Sequence, residues 1–290
     1  MKVAFQGERG AFSEAAAYAV LGAKLELIPC HTFSEMFEAV AKKRADCAVS
    51  PIENSLVGSI HQNYDLLSTH GFEIVGETYL RIVHNLIAPP KVKLKDIKRV
   101  TSHPMALAQC EKFFKRHPGM TPVPAYDTAG SVKQMMTGVE RDIAAIAGAT
   151  AAKEYGGAVL VKGIEDNPLN FTRFLVLARP DRAKGIAGKR SPKTAYKTSL
   201  AFPVPGKPGA LFGILAAFAL RNIDLTKIES RPIEGKPWEY RFYVDVTGHR
   251  DDRVMKKALD HLEEMAGSVS IFGSYPASQP QPLPVNRRRL

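Results

Sequence analysis

From Lys2 to Lys162 short β-prone runs alternate with stretches of helical periodicity, and this alternation constrains the fold more than any other feature. Strands separated by helices need crossover connections, which build parallel sheets covered on both faces. Residues 2–6, 24–29 and 47–50 read as strands. Residues 14–21, capped by Ser13, and 34–44, with Met36, Phe37, Val40 and Ala41 on one face, read as helices. A helix over 60–69 precedes a long β-prone stretch, 72–88, with His84 inside its alternation, ended by Pro89-Pro90. A stretch this extended crosses between two lobes. Beyond it come a helix carrying Leu107, Gln109, Cys110 and Phe113, and a strand over 120–125 whose prolines suit an edge. A helix over 131–137 capped by Asp127, a strand over 143–147 and another over 159–162 follow. The expectation is a two-lobed α/β domain over 1–180 with a cleft. Lobe 1 takes about 1–80 and 160–180, and lobe 2 about 81–159.

A second module follows a basic linker at 181–197. Strands at 198–204, 225–231, 240–246 and 269–275 and helices at 210–221 and 252–265 give the order βαββαβ, an α+β ferredoxin-like layout over 198–277. Residues 278–290 are rich in Pro and Gln and read as a disordered tail.

The net charge is +11, and residues 179–197 carry a net +6 while Arg287-Arg288-Arg289 add three more. The two modules are therefore nearly neutral, and a nucleic-acid face, which needs cationic side chains clustered on an ordered surface, is not expected. No apolar run approaches the ~18–20 residues of a membrane span, so no membrane partner is expected. The start, Lys2-Val3-Ala4-Phe5, lacks the pattern of a secretory signal. Cys30, Cys47 and Cys110 are scattered, without metal-ligand or disulfide spacing. These features point to a cytoplasmic protein with no metal and no cofactor.

Three stretches carry candidate chemistry. In 170–179, Thr172 and Arg173 stand at the entrance of an apolar run that reads as a buried strand. Glu53, Asn54 and Ser55 set an acid, an amide and a hydroxyl side by side after a strand, where open α/β sheets place ligand contacts. The same residues also suit a turn and a helix cap. Gly7-Glu8-Arg9-Gly10 reads either as an anion-facing strand–turn–helix or as a tight turn.

Together these residues resemble a known family, the monofunctional prephenate dehydratases with a C-terminal ACT regulatory domain. The resemblance rests on Gly7-Glu8-Arg9-Gly10-Ala11-Phe12-Ser13-Glu14, then Pro51-Ile52-Glu53-Asn54-Ser55 with Gly58. It continues with Ser102-His103-Pro104 leading to Gln109-Cys110, and Thr172-Arg173-Phe174 ahead of the βαββαβ module. It covers nearly the whole chain except the tail.

The family implies a periplasmic-binding-protein-like catalytic domain and decarboxylative dehydration of prephenate to phenylpyruvate, water and carbon dioxide. It also implies feedback by L-phenylalanine and pairing of ACT domains into a homodimer or homotetramer. The resemblance gives Thr172, Arg173, Glu53, Asn54, Ser102 and Gln109 as catalytic, and Ser55, Thr128 and Phe174 as substrate-binding. Gly209, Ala210, Leu211, Glu229, Ser230, Arg231 and Pro232 would hold phenylalanine. Thr172 would polarise the leaving oxygen and Arg173 grip a carboxylate. Met105 stands where many family members have Gln, and is expected to fill the core. His103 and His84 are expected to be structural. The rivals are an arogenate dehydratase and a non-catalytic amino-acid-binding sensor.

Overall fold

In the computed structural model, residues 1–233 and 235–280 of the 290 are described, so most of the expected tail lies outside the described residues. The elements begin β1(Lys2–Gln6), α1(Phe12–Leu21), β2(Glu26–Cys30), α2(Phe33–Ala41), β3(Cys47–Asn54), β4(Gly58–Ser59), α3(His61–His70), β5(Glu73–Arg81) and β6(Asn85–Ala88). They continue β7(Arg99–Ser102), α4(Pro104–Ala108), α5(Glu111–Arg116), β8(Thr121–Pro124), α6(Thr128–Thr137), β9(Ile143–Ala147), α7(Ala149–Tyr155), β10(Ala158–Val161) and β11(Phe171–Ala178). The last are α8(Pro180–Ala187), β12(Tyr196–Val204), α9(Ala210–Ala219), β13(Leu225–Ile233), β14(Lys236–Thr247), α10(Arg253–Ala266) and β15(Ser270–Pro276).

Two compact units divide the chain. The first takes 1–58 and 78–174, and the second 59–77 and 175–278. In the first, β1 pairs in parallel with β2 and β3, in a sheet ordered β2-β1-β3-β11-β5. A second sheet is ordered β10-β6-β9-β7-β8. Each sheet has its own helices, which gives the two lobes expected. The proline-bearing β8 is an edge strand, since its missing N–H groups can be spared only there. Phe5 and Ala11 of one lobe share a buried cluster with Ile87, Ala129 and Val132 of the other.

Several local details differ from expectation. The long β-prone stretch is two strands, with Ile82–His84 in a break between them. Ser13 does not cap α1. The Gly10 N–H is taken by the Glu14 carboxylate at 2.7 Å, and Ser13 is buried in the first turn. Gly10 has φ +80, and a Cβ there would lie 2.6 Å from Ala151 Cα, so turn geometry and close approach explain it better than an anion. Met105 is 41% exposed and fills no core. α4 is a single short turn and a residue at its start has little to pack against. Much of the expected linker is helical, because Pro180 at the first turn suits a helix start.

The second unit holds an antiparallel sheet ordered β13-β14-β12-β15, with α9 and α10 on the core of Leu200, Phe202, Ile214, Phe218, Val244 and Leu262. This is the ferredoxin-like order expected from βαββαβ. The same unit includes α3 because ionic contacts fasten it to β13. Arg231 donates to Asp65 at 2.8 Å, and His61 Nε2 lies 3.1 Å from a Glu229 carboxylate oxygen.

Lys197 pairs with Glu77 at 2.9 Å, their side chains 10% and 0% exposed. Removing one member of such a pair strands the other in a poorly hydrated place. Lys197→Met is therefore expected to cost about 3–5 kcal/mol, read as a lower urea midpoint. A loss under about 1 kcal/mol would mean that the pair is hydrated like a surface bridge.

Candidate active site

The site is built where β3 ends beside β11, and its geometry starts from two backbone groups. The Asn54 Oδ1 accepts from the N–H groups of Leu56 and Val57 at 3.0 and 3.1 Å, closing a turn. A backbone N–H can only donate, so the atom facing the turn must be the amide oxygen. The Asn54 Nδ2 therefore points the other way, to Asn170 Oδ1 at 2.7 Å and Thr172 Oγ1 at 3.0 Å. Residues two apart on an extended chain share a face, so one amide reaches both. Asn54 has now used both protons and both lone pairs.

The direction propagates. Asn170 receives on its oxygen, so its Nδ2 donates to Gln109 Oε1 at 2.9 Å. The same Oε1 lies 2.9 Å from His84 Nε2. Gln109 is set from the other lobe as the cap of α4. Its N–H bonds to the Met105 carbonyl at 3.0 Å, and its carbonyl takes the Asp166 N–H at 2.7 Å. Two donor groups at this network have no acceptor among the described residues: the Thr172 hydroxyl and the Gln109 side-chain NH2. An arrangement that consumes acceptors and leaves donors over suits an anion or a departing oxygen.

Ser55 is a staple. Its hydroxyl donates to the Leu169 carbonyl at 2.8 Å and accepts the Phe171 N–H at 2.9 Å, holding Asn54 against β11. Thr172 and Arg173 are both buried, but consecutive strand residues leave on opposite faces. Arg173 lies with its guanidinium 6.0 Å from the centre of the Tyr79 ring. By the same alternation half-buried Glu53 faces away from Asn54, and Phe174, on the Thr172 face, is core. Ser102 is fully buried and donates to the Ile146 carbonyl at 2.6 Å. Thr128 is half-buried as the first residue of α6, whose cap is Asp127, and among the described residues no hydrogen bond joins it to the network. His103 caps α4, its Nδ1 accepting the Met105 N–H.

Sequence reasoning missed two members. Asn170 was legible, since it sits two residues before Thr172 on an extended chain. His84 was not: its tie to Gln109 joins distant segments and leaves no local pattern. His84 is 2% exposed, and burial holds its ring nitrogen below the usual range, against the Gln109 hydrogen bond and the Glu165 charge. Cys110 is fully buried, and burial pushes its thiol far up, which disfavours a thiolate.

In the second unit, Gly209 has φ +78 at the start of α9, followed by buried Ala210 and half-buried Leu211. Glu229 and Arg231 alternate with exposed Ser230 and Pro232 along β13. Burial raises the Glu229 carboxyl, but Ser59, His61 and Lys227 together outweigh it and hold it below the usual range. A cavity of about 460 Å³ borders Arg231, Pro232, Asp65, Ser68 and Tyr243. Among the described residues no helix is long and apolar enough to cross a membrane, and no cluster of His, Cys, Asp or Glu is placed to hold a metal.

Residues 3–182 match the prephenate dehydratase family model, and 198–264 the ACT domain model. The chain is 45% identical to arogenate dehydratase/prephenate dehydratase 2 of Arabidopsis thaliana, over 95% of this chain and 73% of that one. The prephenate dehydratase of Arthrobacter aurescens, solved in complex with L-Phe, superimposes with TM-score 0.86 at 36% identity, covering 97% and 92% of the two chains. A structure described as a novel type of quorum-quenching acylase has the same TM-score of 0.86 at 34% identity, with 96% and 98% covered. The chain belongs to the prephenate dehydratase family of carbon–oxygen lyases, with an ACT domain behind its catalytic domain.

Proposed function

We propose that the chain converts prephenate to phenylpyruvate in L-phenylalanine biosynthesis and is inhibited by L-phenylalanine at its ACT domain. The observation that carries the first part is the Thr172 hydroxyl. Asn54 occupies its acceptor side and leaves its proton to be offered outward. In the reaction the bond between the ring and its carboxylate breaks. Its electron pair enters the ring, the ring aromatises and hydroxide leaves from the far carbon. Hydroxide then takes a proton to become water. Aromatisation drives the step, so the protein has little covalent work. It must hold a dianion and meet the charge growing on the departing oxygen.

Thr172 donates to that oxygen. Gln109 donates to an oxygen of the substrate through its NH2. Arg173, on the other face of β11, is buried against the Tyr79 ring and backs the strand that carries Thr172. Arogenate carries the same ring hydroxyl and carboxylate, and the Arabidopsis relative is named for both substrates. Arogenate turnover is the second reading. Acyl transfer is not favoured. It needs a hydroxyl activated by a base, and Thr172, Ser55 and Ser102 are bonded to Asn54, to backbone groups and to a carbonyl respectively, never to a histidine.

For regulation, Gly209 follows β12 while Glu229–Pro232 lie on β13, with β14 between them. Two strand spacings, roughly 9–10 Å, separate these segments within one chain. A ligand held by both is better served by the loop of one chain and the strand of another. The edge position of β13 and the exposure of Phe212 (80%), Trp238 (86%) and Ile228 (46%) support such pairing. The proposal therefore includes a dimer or tetramer through ACT domains. The three cysteines are buried and outside any disulfide, which suits a reducing compartment, and the cytoplasm is proposed.

The test is turnover of prephenate and, separately, arogenate by the purified protein, with and without phenylalanine. Prephenate turnover suppressed by phenylalanine is expected. Turnover of neither substrate would overturn the enzymatic reading, and a preference for arogenate would replace the substrate. Ser230→Ala, on an exposed position, should raise the inhibitory phenylalanine concentration about tenfold, the loss of one ligand hydrogen bond, with uninhibited turnover unchanged. Unaltered inhibition would remove Ser230 from the ligand site.

A further inference from the structure

His84 makes no contact that a substrate would share, yet the network ends on it. We infer that His84 is a positioning residue which, as the Nε2–H tautomer, locks the Gln109 carboxamide with its NH2 turned out to the substrate. The residue is held from several sides. Its backbone N–H donates to Glu165 Oε2 at 3.0 Å, its carbonyl accepts from Ile164 at 2.9 Å, and it meets the Phe12 ring edge-on at 5.9 Å.

The tautomer follows from the direction fixed at Asn54. Gln109 presents oxygen to Asn170, so the atom 2.9 Å from His84 Nε2 is that same oxygen, and Nε2 must carry the proton. The other ring nitrogen is then a bare acceptor, and Nδ1 is buried without a hydrogen-bond partner. Leaving a buried acceptor unmade costs about 1–3 kcal/mol. The network imposes this tautomer; the ring's own surroundings do not reward it. Both lone pairs of Gln109 Oε1 are now engaged. A flipped amide would set its NH2 against the N–H groups of both Asn170 and His84. Asn170 and His84 together therefore hold the one orientation that sends two donors into the cleft.

The assignment of Gln109 to the substrate rests on the proposed dehydratase reading; the tautomer does not. The experiment separates the two. In protein labelled with 15N in its histidine rings, His84 should appear neutral with the proton on Nε2 at pH 7, and a proton on Nδ1 would overturn the inference. Kinetics then follow on His84→Leu, Gln109→Leu and the double variant. His84→Leu should lower kcat about 10–100-fold, the scale of a misoriented catalytic group. In the Gln109→Leu background the same change should cost less than about threefold, because residues acting through one another are not additive. His84→Gln, which can place an amide N–H near the Nε2 position, should recover most of the loss. Independent, multiplying losses would overturn the inference, as would full activity in His84→Leu. Absence of wild-type turnover would remove the dehydratase reading while the ring spectrum still decided the tautomer. Should His84→Leu fail to fold, the spectrum and His84→Gln carry the decision.

Discussion

Thr172→Val is expected to lower kcat about 10²–10³-fold, the usual cost of removing one donor aimed at a developing negative charge. The substitution keeps the shape and branching that suit β11 and removes only the hydroxyl. One of the two Asn54 protons then loses its acceptor. That should cost roughly 1 kcal/mol of stability, a fall of a few degrees in Tm, too little to unfold the domain. The decisive comparison is Thr172→Ser. Serine keeps both the lone pair that Asn54 fills and the proton offered outward. It loses the γ-methyl that restricts the side-chain rotamer. A loss of about tenfold is expected for serine, far less than for valine. KM should change little in either, since a bond to the departing oxygen strengthens only as charge develops there. A valine variant within about threefold of wild type would remove Thr172 from the reacting centre. Equal losses for serine and valine would show that the methyl, not the hydroxyl, matters.

Much of the fold could be read from the chain because it rests on local signals. The 2.0 and 3.6 periodicities, the prolines of β8 and the small residues of β9 each declare themselves over a few positions. The order βαββαβ then leaves few topologies. The candidate site was only half legible. Short motifs named Asn54, Gln109 and Thr172, and the structure brings these together. They also grouped Thr172 with Arg173, whose side chains leave β11 on opposite faces, a separation that strand period alone enforces. Ser102 was grouped with the cleft but spends its hydroxyl inside the second sheet. His84 was assigned to a strand because its neighbours alternate. The break at Ile82–His84 depends on where the chain passes from one lobe to the next, which is a tertiary fact. Hydrogen-bond direction was also hidden, since it is set by two backbone N–H groups that no sequence pattern marks.

That direction yields the strongest test, Asn54→Asp, expected to lower kcat/KM by more than about 10³-fold, or roughly 4 kcal/mol. Aspartate is nearly isosteric and one carboxylate oxygen can still accept from Leu56 and Val57, so the turn survives. The other oxygen now faces Asn170 and Thr172, where an amide NH2 stood. A carboxylate can only accept. The Thr172 hydroxyl must turn its proton inward to meet it, and the outward donor is lost. Asn170 must flip to present its NH2 to the carboxylate, which sets its oxygen towards Gln109. Gln109 must flip in turn, offering NH2 inward and bare oxygen to the cleft. His84 must then accept at Nε2 and carry its proton on Nδ1. One substitution thus reverses every bond in the chain and adds a negative charge facing a dianionic substrate. Asn54→Ala removes the two donors but reverses nothing, so it should be the milder variant by at least about tenfold. The ring spectrum gives a readout independent of turnover: the His84 proton should move from Nε2 to Nδ1 in Asn54→Asp and stay on Nε2 in Asn54→Ala, where Asn170 and Gln109 keep their mutual bond. If alanine proves as damaging as aspartate, or the tautomer stays put in both, Asn54 serves only to hold the turn and does not direct the network.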